Sequence, residues 1–162
     1  MKIQKEIKRR YGRTEVPHNF MKFYKVIRFW VKSKYNLTSC DLDVLFFLYS
    51  EGLFSVTDFD KFIQIFPWDR NRFNRLKKDG WIVKWRNACK GEKALYEISY
   101  KGRVVVGNVY KKLLGEEISE EIPNNPMFYK TDATFTTKVH RNALIQMNKE
   151  YKERKTRPTF GK

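Results

Sequence analysis

Residues 67–86 read PWDRNRFNRLKKDGWIVKWR, the pattern of a short basic helix that leads directly into a β-strand. Pro67 and Asp69 favour a helix start, because proline lacks an amide hydrogen that the first turn does not need and aspartate accepts free backbone N–H groups. Gly80 suits the helix end, where positive φ is common, and WIVKW is rich in β-forming residues. The stretch therefore predicts a helix followed by a strand.

The two sides of this helix differ in chemistry. The apolar side carries Phe73 and Leu76. The opposite side carries the polar and basic residues Asn71, Asn74, Arg75 and Lys78. An apolar back with an Arg/Asn front is what a helix needs to lie in a DNA groove, but an ordinary amphipathic helix with a solvated basic face has the same pattern. The helix alone does not distinguish these two interpretations, and the flanking sequence bears on both.

The composition of the whole chain favours an anionic partner. Its 162 residues suit one domain with additional arms, and 41% apolar and 16% aromatic residues indicate a folded core. With 34 Lys+Arg against 18 Asp+Glu the net charge is +16, so nucleic acid is the leading partner and a membrane surface the second. No run of about 18 or more apolar residues and no secretory signal occurs, so we expect no membrane segment and a cytoplasmic location.

Residues suited to catalysis or metal binding are few. Cys40 and Cys89 are far apart, no CxxC motif occurs, and the histidines are His18 and His140 alone. Nothing next to either cysteine orients a base, and the sequence lacks a glycine-rich phosphate loop, GxSxG and HExxH. We therefore predict reduced thiols, no enzymatic activity, no catalytic residues, no metal and no cofactor.

Charge is segregated along the chain. Residues 1–34 carry a net charge of +9, 35–66 carry −4, 67–115 carry +9, 116–126 carry −4 and 127–162 carry +6. Basic zones thus flank acidic ones, and such segregation gives one face of a fold a positive field.

Composition and apolar spacing divide the chain into four segments. Residues 1–18 form a basic N-terminal arm, which either contacts phosphates or is a solvated tail. Residues 19–115 form the main domain with its N-terminal helix, 116–131 an acidic linker with Pro and Asn, and 132–162 a C-terminal helix and basic tail.

Three more helices precede the basic helix in this interpretation. The first, within 19–34, has apolar residues on more than one side, so it lies deep in its own core or packs on a second subunit. The second follows Thr38 or Ser39 and is the most apolar, hence the central core element. Ser55 or Thr57 caps the third, which forms a helix-turn-helix pattern with the basic helix.

After Gly80, the runs WIVKWR and KALYEIS flank a polar, cationic tip and predict a hairpin. The order of a capped helix, a helix-turn-helix, LKKDGWIVKW, a hairpin and ISYKGRVVVGNVYKKL resembles the winged-helix domain of MarR-type regulators. In that family a helix with a pattern close to LTxxG follows the wing, and ISYKG at 98–102 is similar, with Ser99 as its N-cap. The resemblance runs from Leu37 to about Leu114, roughly half of the chain.

The sequence departs from this family in two places. Pro67 falls early in the expected recognition helix, which is then short or begins late. The wing lacks the Asp-x-Arg pattern often present there. The resulting fold class is mainly α with a small β-hairpin (α+β), a winged helix-turn-helix with extra N- and C-terminal helices.

Expected DNA contacts follow from the chemistry of the duplex. Asn pairs with adenine N6 and N7 and Arg with guanine O6 and N7, which makes Asn71, Asn74 and Arg75 the expected base contacts. The expected phosphate contacts are cations of the helix, the wing and the N-terminal arm: Arg70, Arg72, Lys77, Lys78, Arg86, Lys90, Lys93, Arg9 and Arg10. Trp68 either stacks on a sugar or anchors the helix.

Three functions are compatible with these features. The first is a MarR-like transcriptional regulator that binds double-stranded DNA, and the resemblance implies a homodimer or larger assembly through residues 19–34 and 137–154. Alternatively, both of these helices cap a monomeric core. The second function is a structural nucleic-acid-binding or assembly protein of a virion or nucleoid. The third is a winged helix that contacts acidic proteins.

The resemblance also raises the question of a small ligand, because MarR-like dimers often hold aromatic molecules beside the winged domain. Phe23, Ile27, Trp30 and Phe46 suit such a pocket, but a core needs the same residues. We therefore predict no ligand.

Overall fold

The computed structural model describes residues 19–65, 69–131 and 133–156. The helices in these ranges are α1 (Tyr24–Tyr35), α2 (Ser39–Glu51), α3 (Val56–Phe62), α4 (Arg70–Lys78), α5 (Tyr100–Leu113) and α6 (Phe135–Thr156). The strands are β1 (Ile82–Arg86) and β2 (Leu95–Ile98), and a short 3-10 turn covers Pro126–Phe128. The prediction of a mainly helical protein with a small β-hairpin is confirmed.

Side-chain caps set the starts of several helices. Thr38 Oγ1 accepts a hydrogen bond from Asp41 N, and the Asp41 carboxylate accepts one from Thr38 N, so α2 begins with a capping box. Ser55 and Asp58 form the same reciprocal pair at the start of α3. Ser99 caps α5 through its hydroxyl. Each of these serine and threonine caps was among those expected from the sequence.

The strands β1 and β2 form the predicted hairpin. They are antiparallel, with Ile82 opposite Ile98. The segment between α2 and α3 adds one bridge to this sheet: Phe54 N donates to Tyr96 O at 3.0 Å, and Tyr96 N donates to Phe54 O at 2.8 Å. This bridge joins the segment before α3 to strand β2. The helix pair α3–α4 and the hairpin therefore keep a fixed orientation to each other.

Helix α1 packs in the hydrophobic core together with α2. Its buried residues are Val26, Ile27, Trp30 and Val31. It contacts α2, α5, α6 and the 3-10 turn, which accounts for its apolar residues on several sides within a single chain. The core includes three of the residues that suit a ligand pocket, Phe23, Ile27 and Trp30. The fourth, Phe46, packs against the core.

The acidic segment 116–131 is packed against the core. Ile118 and Met127 are 2% and 1% exposed. Asn148 of α6 holds the segment, because its Oδ1 accepts from Ile118 N at 3.0 Å and its Nδ2 donates to Ile118 O at 2.8 Å. The segment that the sequence presents as a linker therefore fastens α6 onto the same core as the preceding helices.

Helix α6 lies along α1. Its buried residues are Leu144, Met147, Asn148 and Tyr151. The Tyr151 ring meets that of Phe23 edge-on, with 5.9 Å between the centroids. Residues 19–34 and 137–154, the candidates for a dimer interface, thus pack on each other within one chain.

We expect Asn148→Ala to lower the free energy of unfolding by about 2–4 kcal/mol, since two hydrogen bonds to a buried backbone are lost together. Urea denaturation followed by circular dichroism measures the change. Asn142→Ala, on the exposed side of α6, is the matched control. Equal stability of the two variants would contradict the role given to Asn148.

Candidate nucleic-acid interface

Helix α4 is held by its apolar side. Phe73 and Leu76 are 2% and 1% exposed, and the centroid of the Phe73 ring lies 4.9 Å from that of Phe59. Asp69 caps the helix by accepting a hydrogen bond from Arg72 N at 2.7 Å, as the sequence predicted. One side of α4 is thus fixed in the core, and the opposite side faces the surface.

The surface side of α4 carries the two predicted asparagines. Asn71 and Asn74 are exposed and stand about one helical turn apart, so they share a face. Asn71 also borders a small surface pocket of about 170 Å³, whose other walls are Asp69, Arg72 and Arg75. A carboxamide both donates and accepts hydrogen bonds, which suits the edges of bases.

Two arginines of α4 share one carboxylate. Asp41, in the first turn of α2, accepts from Arg72 Nη1 at 2.8 Å and from Arg75 Nη2 through the same oxygen, Oδ1. The side chain of Asp41 is 4% exposed, whereas those of Arg72 and Arg75 are 22% and 48% exposed. This cluster joins α2 to α4 and sets the position of Arg75, a predicted base contact, and of Arg72, a predicted phosphate contact.

The surroundings of Asp41 keep its carboxylate ionised. Burial opposes the charge, but hydrogen bonding to Thr38 and the guanidinium groups of Arg75 and Arg72 outweigh it, so the pKa of Asp41 is lowered from its ordinary value. A buried carboxylate that loses its partners destabilises a fold by about 3–5 kcal/mol. The ionised state and the arginine contacts therefore depend on each other.

Arg70, the first residue of α4, is also paired within the chain. Its Nε donates to Asp60 Oδ1 at 2.7 Å, and its Nη2 donates to Asp60 Oδ2, which gives the bidentate arrangement typical of arginine and carboxylate. The pair is partly exposed, so it adds little stability. It joins α3 to α4 and directs Arg70, a predicted phosphate contact, towards α3.

The lysines of α4 have different surroundings. Lys77 Nζ lies 5.6 Å from the centroid of the Phe73 ring and 5.7 Å from that of Tyr96, within the range of cation–π attraction. Lys78 is exposed in the last turn. Both ammonium groups were predicted to contact phosphates, and both remain at the surface.

The three predicted wing cations differ in their contacts within the chain. Arg86 pairs with Glu92 at 2.8 Å, and Lys93 Nζ donates to Thr57 Oγ1 of α3 at 3.0 Å. Lys90 is exposed at the tip, where its φ is +40°. All three predicted wing contacts are exposed, and Lys90 is the one whose side chain forms no ion pair or hydrogen bond with a described residue.

Part of the predicted interface lies outside the described residues. This applies to the arm at 1–18 with Arg9 and Arg10, and to Pro67 and Trp68. The predicted contacts on α4 and on the hairpin lie on neighbouring elements, because β1 follows α4 directly and packs against it.

Two residues that the sequence did not mark take part in this region. Asp41 lies in the first turn of α2, and its arginine partners lie 31 and 34 residues away along the chain. Lys101 Nζ lies 3.8 Å from the centroid of the Trp81 ring and donates to Asp79 O, the C-cap of α4, at 3.2 Å. No local pattern signals either contact, since both depend on the tertiary fold.

Two kinds of feature are missing from the described ranges. None of their helices combines the length and the hydrophobicity of a membrane span. Likewise, the residues described contain no cluster of three or more His, Cys, Asp or Glu side chains that would hold a metal ion.

Comparison with known proteins gives no match: no protein-family model, no curated protein and no solved structure matches this chain.

We expect Asp41→Asn to lower the free energy of unfolding at pH 7 by about 1–3 kcal/mol, because the arginines lose their carboxylate but regain part of their hydration. Since the pKa of Asp41 is lowered in the fold, its stabilisation is complete above about pH 4 and is lost as the pH falls through the folded-state pKa. The stability gap between the parent protein and the variant should therefore narrow in acid.

Urea denaturation at pH 7 and pH 3 measures this gap. Asp79→Asn, which changes the charge of an exposed aspartate at the end of α4, is the control. A stability difference between the parent protein and Asp41→Asn that stays constant with pH would contradict the role given to Asp41. The absence of any difference at pH 7 would contradict it as well.

Proposed function

We propose that this protein binds double-stranded DNA as a winged helix-turn-helix of the MarR-like type and acts as a transcriptional regulator. In this proposal α4 is the recognition helix, the β1–β2 hairpin is the wing, and the protein works on chromosomal DNA in the cytoplasm as a homodimer.

The order and connection of the elements support the proposal. Helices α2, α3 and α4 are followed by the hairpin and then by α5, the order that a winged helix requires. The bridge between Phe54 and Tyr96 joins the segment before α3 to the return strand of the hairpin. A recognition helix and a wing linked in this way keep a constant spacing, which a rigid duplex demands of its partner.

The observation that carries the proposal is the exposed face of α4. Asn71 and Asn74 lie together on a helix whose opposite side is locked in the core by Phe73 and Leu76. Reading bases in the major groove needs donor–acceptor groups on a rigid helix, flanked by cations for the phosphate rims. Lys78 supplies such a cation on the same helix.

The dimer is part of the proposal because α6 has an apolar surface. Phe135 is 82% exposed and Val139 is 47% exposed, and the two residues are neighbours at i and i+4 on this helix. Exposed apolar side chains that adjoin each other favour a contact with another protein surface. A second copy would bring a second recognition helix, as a two-fold-symmetric DNA site requires.

We expect selection from a random duplex pool to enrich one short, roughly two-fold-symmetric site that binds about a thousandfold or more tightly than random DNA. Asn74→Ala should weaken discrimination at one A·T position by about 1–3 kcal/mol. Asn142→Ala on α6 serves as the control, because it removes an exposed amide elsewhere. Equal affinity for all sequences would refute sequence-specific regulation.

We expect Lys90→Gln to lower affinity for every DNA sequence alike, because a contact to phosphate carries no base information. The slope of log K against log salt should become shallower by about one. Fluorescence anisotropy over a salt series measures both effects. Lys149→Gln, which removes an exposed charge from α6, provides the comparison. A loss of base preference in Lys90→Gln would show that the hairpin tip reads sequence instead.

A second candidate function is supported by the charge of the chain. A net charge of +16, with positive blocks at both ends, exceeds what a single operator contact requires. A protein that coats nucleic acid in a nucleoid or virion would use such an excess. Steep salt dependence without any preferred site, or recovery of the protein in a large nucleoprotein particle, would favour this function over regulation.

A further inference from the structure

A basic cleft of about 710 Å³ lies at the surface where α1, the first residue of α2 and the start of α6 meet. Lys25, Arg28 and Lys32 of α1 line it, together with Ser39 and His140. The three cations are spaced i, i+3 and i+7, so they follow one face of α1 over two turns. This cleft lies outside the predicted contacts on α4 and the hairpin.

The charges of the cleft are incompletely balanced. Arg28 Nη2 pairs with Asp43 at 3.0 Å, whereas Lys25 and Lys32 are exposed and form no ion pair with any described residue. Arg28 Nε is buried and has no hydrogen-bond partner among the described residues. Two exposed cations, Lys25 and Lys32, are thus left for an anionic partner.

The wall of the cleft opposite α1 is well defined. The His140 ring stacks on Phe29 with 4.1 Å between centroids and an interplanar angle of 12°. His140 Nδ1 lies 2.8 Å from Thr136 O, and a carbonyl only accepts, so this nitrogen carries the hydrogen. These contacts fix the ring at the side of the cleft.

The cleft adjoins the cluster that supports α4. Ser39 lines the cleft, and the preceding residue, Thr38, has its Oγ1 3.4 Å from Arg72 Nη1. The first turn of α2 also contains Asp41, which holds Arg72 and Arg75. The first turn of α2 therefore lies between the cations of α1 and those of α4.

We propose that this cleft binds backbone phosphates of the duplex that α4 reads, so that the protein contacts DNA beyond the groove of its recognition helix. The inference rests on the proposed function. Its support is the charge complementarity between phosphate and the unpaired cations, and the continuity of the cleft with α4 through the start of α2. The contact increases the affinity for DNA and the length of duplex that the protein covers, and it leaves the base preference unchanged.

The test is the double variant K25Q/K32Q, compared with the parent protein over a salt series on the selected site and on random DNA. Each phosphate contact contributes about 0.9 to the slope of log K against log salt, so the slope should become shallower by about two. Affinity should fall on both DNAs while their ratio is kept. K111Q/K149Q removes the same charge from exposed lysines of α5 and α6 and is the matched control.

Thermal unfolding by circular dichroism establishes that both double variants are folded. A slope change equal to that of K111Q/K149Q would overturn the inference, because net charge alone would then explain it. Binding of inorganic phosphate in the cleft, lost in K25Q/K32Q while the DNA slope stays at the parent value, would also overturn it and assign the site to a free anion. Failure of the parent protein to bind any duplex would refute the proposed function itself, a separate result.

Discussion

The shared contact of Asp41 with Arg72 and Arg75 determines which side of α4 faces the surface. A carboxylate that is 4% exposed is costly to keep charged, and here the α2 cap and two guanidinium groups compensate it. Because both arginines come from the same helix, α4 cannot rotate or slide without drawing both guanidinium groups away from this carboxylate. The apolar residues of α4 place it on the core, and Asp41 fixes its rotation, so the same asparagines always face outward.

Arginine and lysine have different tasks in this chain. Every arginine among the described residues has a partner within the chain, as in the pairs of Arg28 with Asp43 and Arg103 with Glu97. The planar guanidinium forms such directed contacts, whereas lysine is a flexible point charge that stays hydrated. In the part of the chain that the structure describes, the excess positive charge at the surface is therefore carried largely by lysines. Under the proposed function, lysines would supply affinity and salt dependence, and the neutral asparagines would supply base preference.

The sequence predicts the local features of this fold and misses the distant ones. The caps Ser55, Asp69 and Ser99 are visible because a cap and its target lie within three residues of each other. The pairing of Asp41 with Arg75 spans 34 residues, and no local pattern encodes it. The segment 116–131 has the composition of a linker, but a few buried contacts suffice to fasten it to α6. The asparagine face is predictable from helical spacing, whereas the fixed positions of the arginines beside it depend on Asp41 of α2, which lies far from them in the sequence.

The two arginines that contact Asp41 differ in how easily each can leave it. Both bond to the same oxygen of Asp41, yet the side chain of Arg75 is 48% exposed and that of Arg72 is 22% exposed. If Arg75 turns towards a base or phosphate, Arg72 and the cap at Thr38 still compensate Asp41, and Arg75 gains a new anionic or acceptor partner. If Arg72 turns away, its more deeply buried side chain also loses the contacts that cover it. Arg75 is thus the arginine that can exchange its partner at the lower cost, so its contact with Asp41 is compatible with the base contact proposed for it.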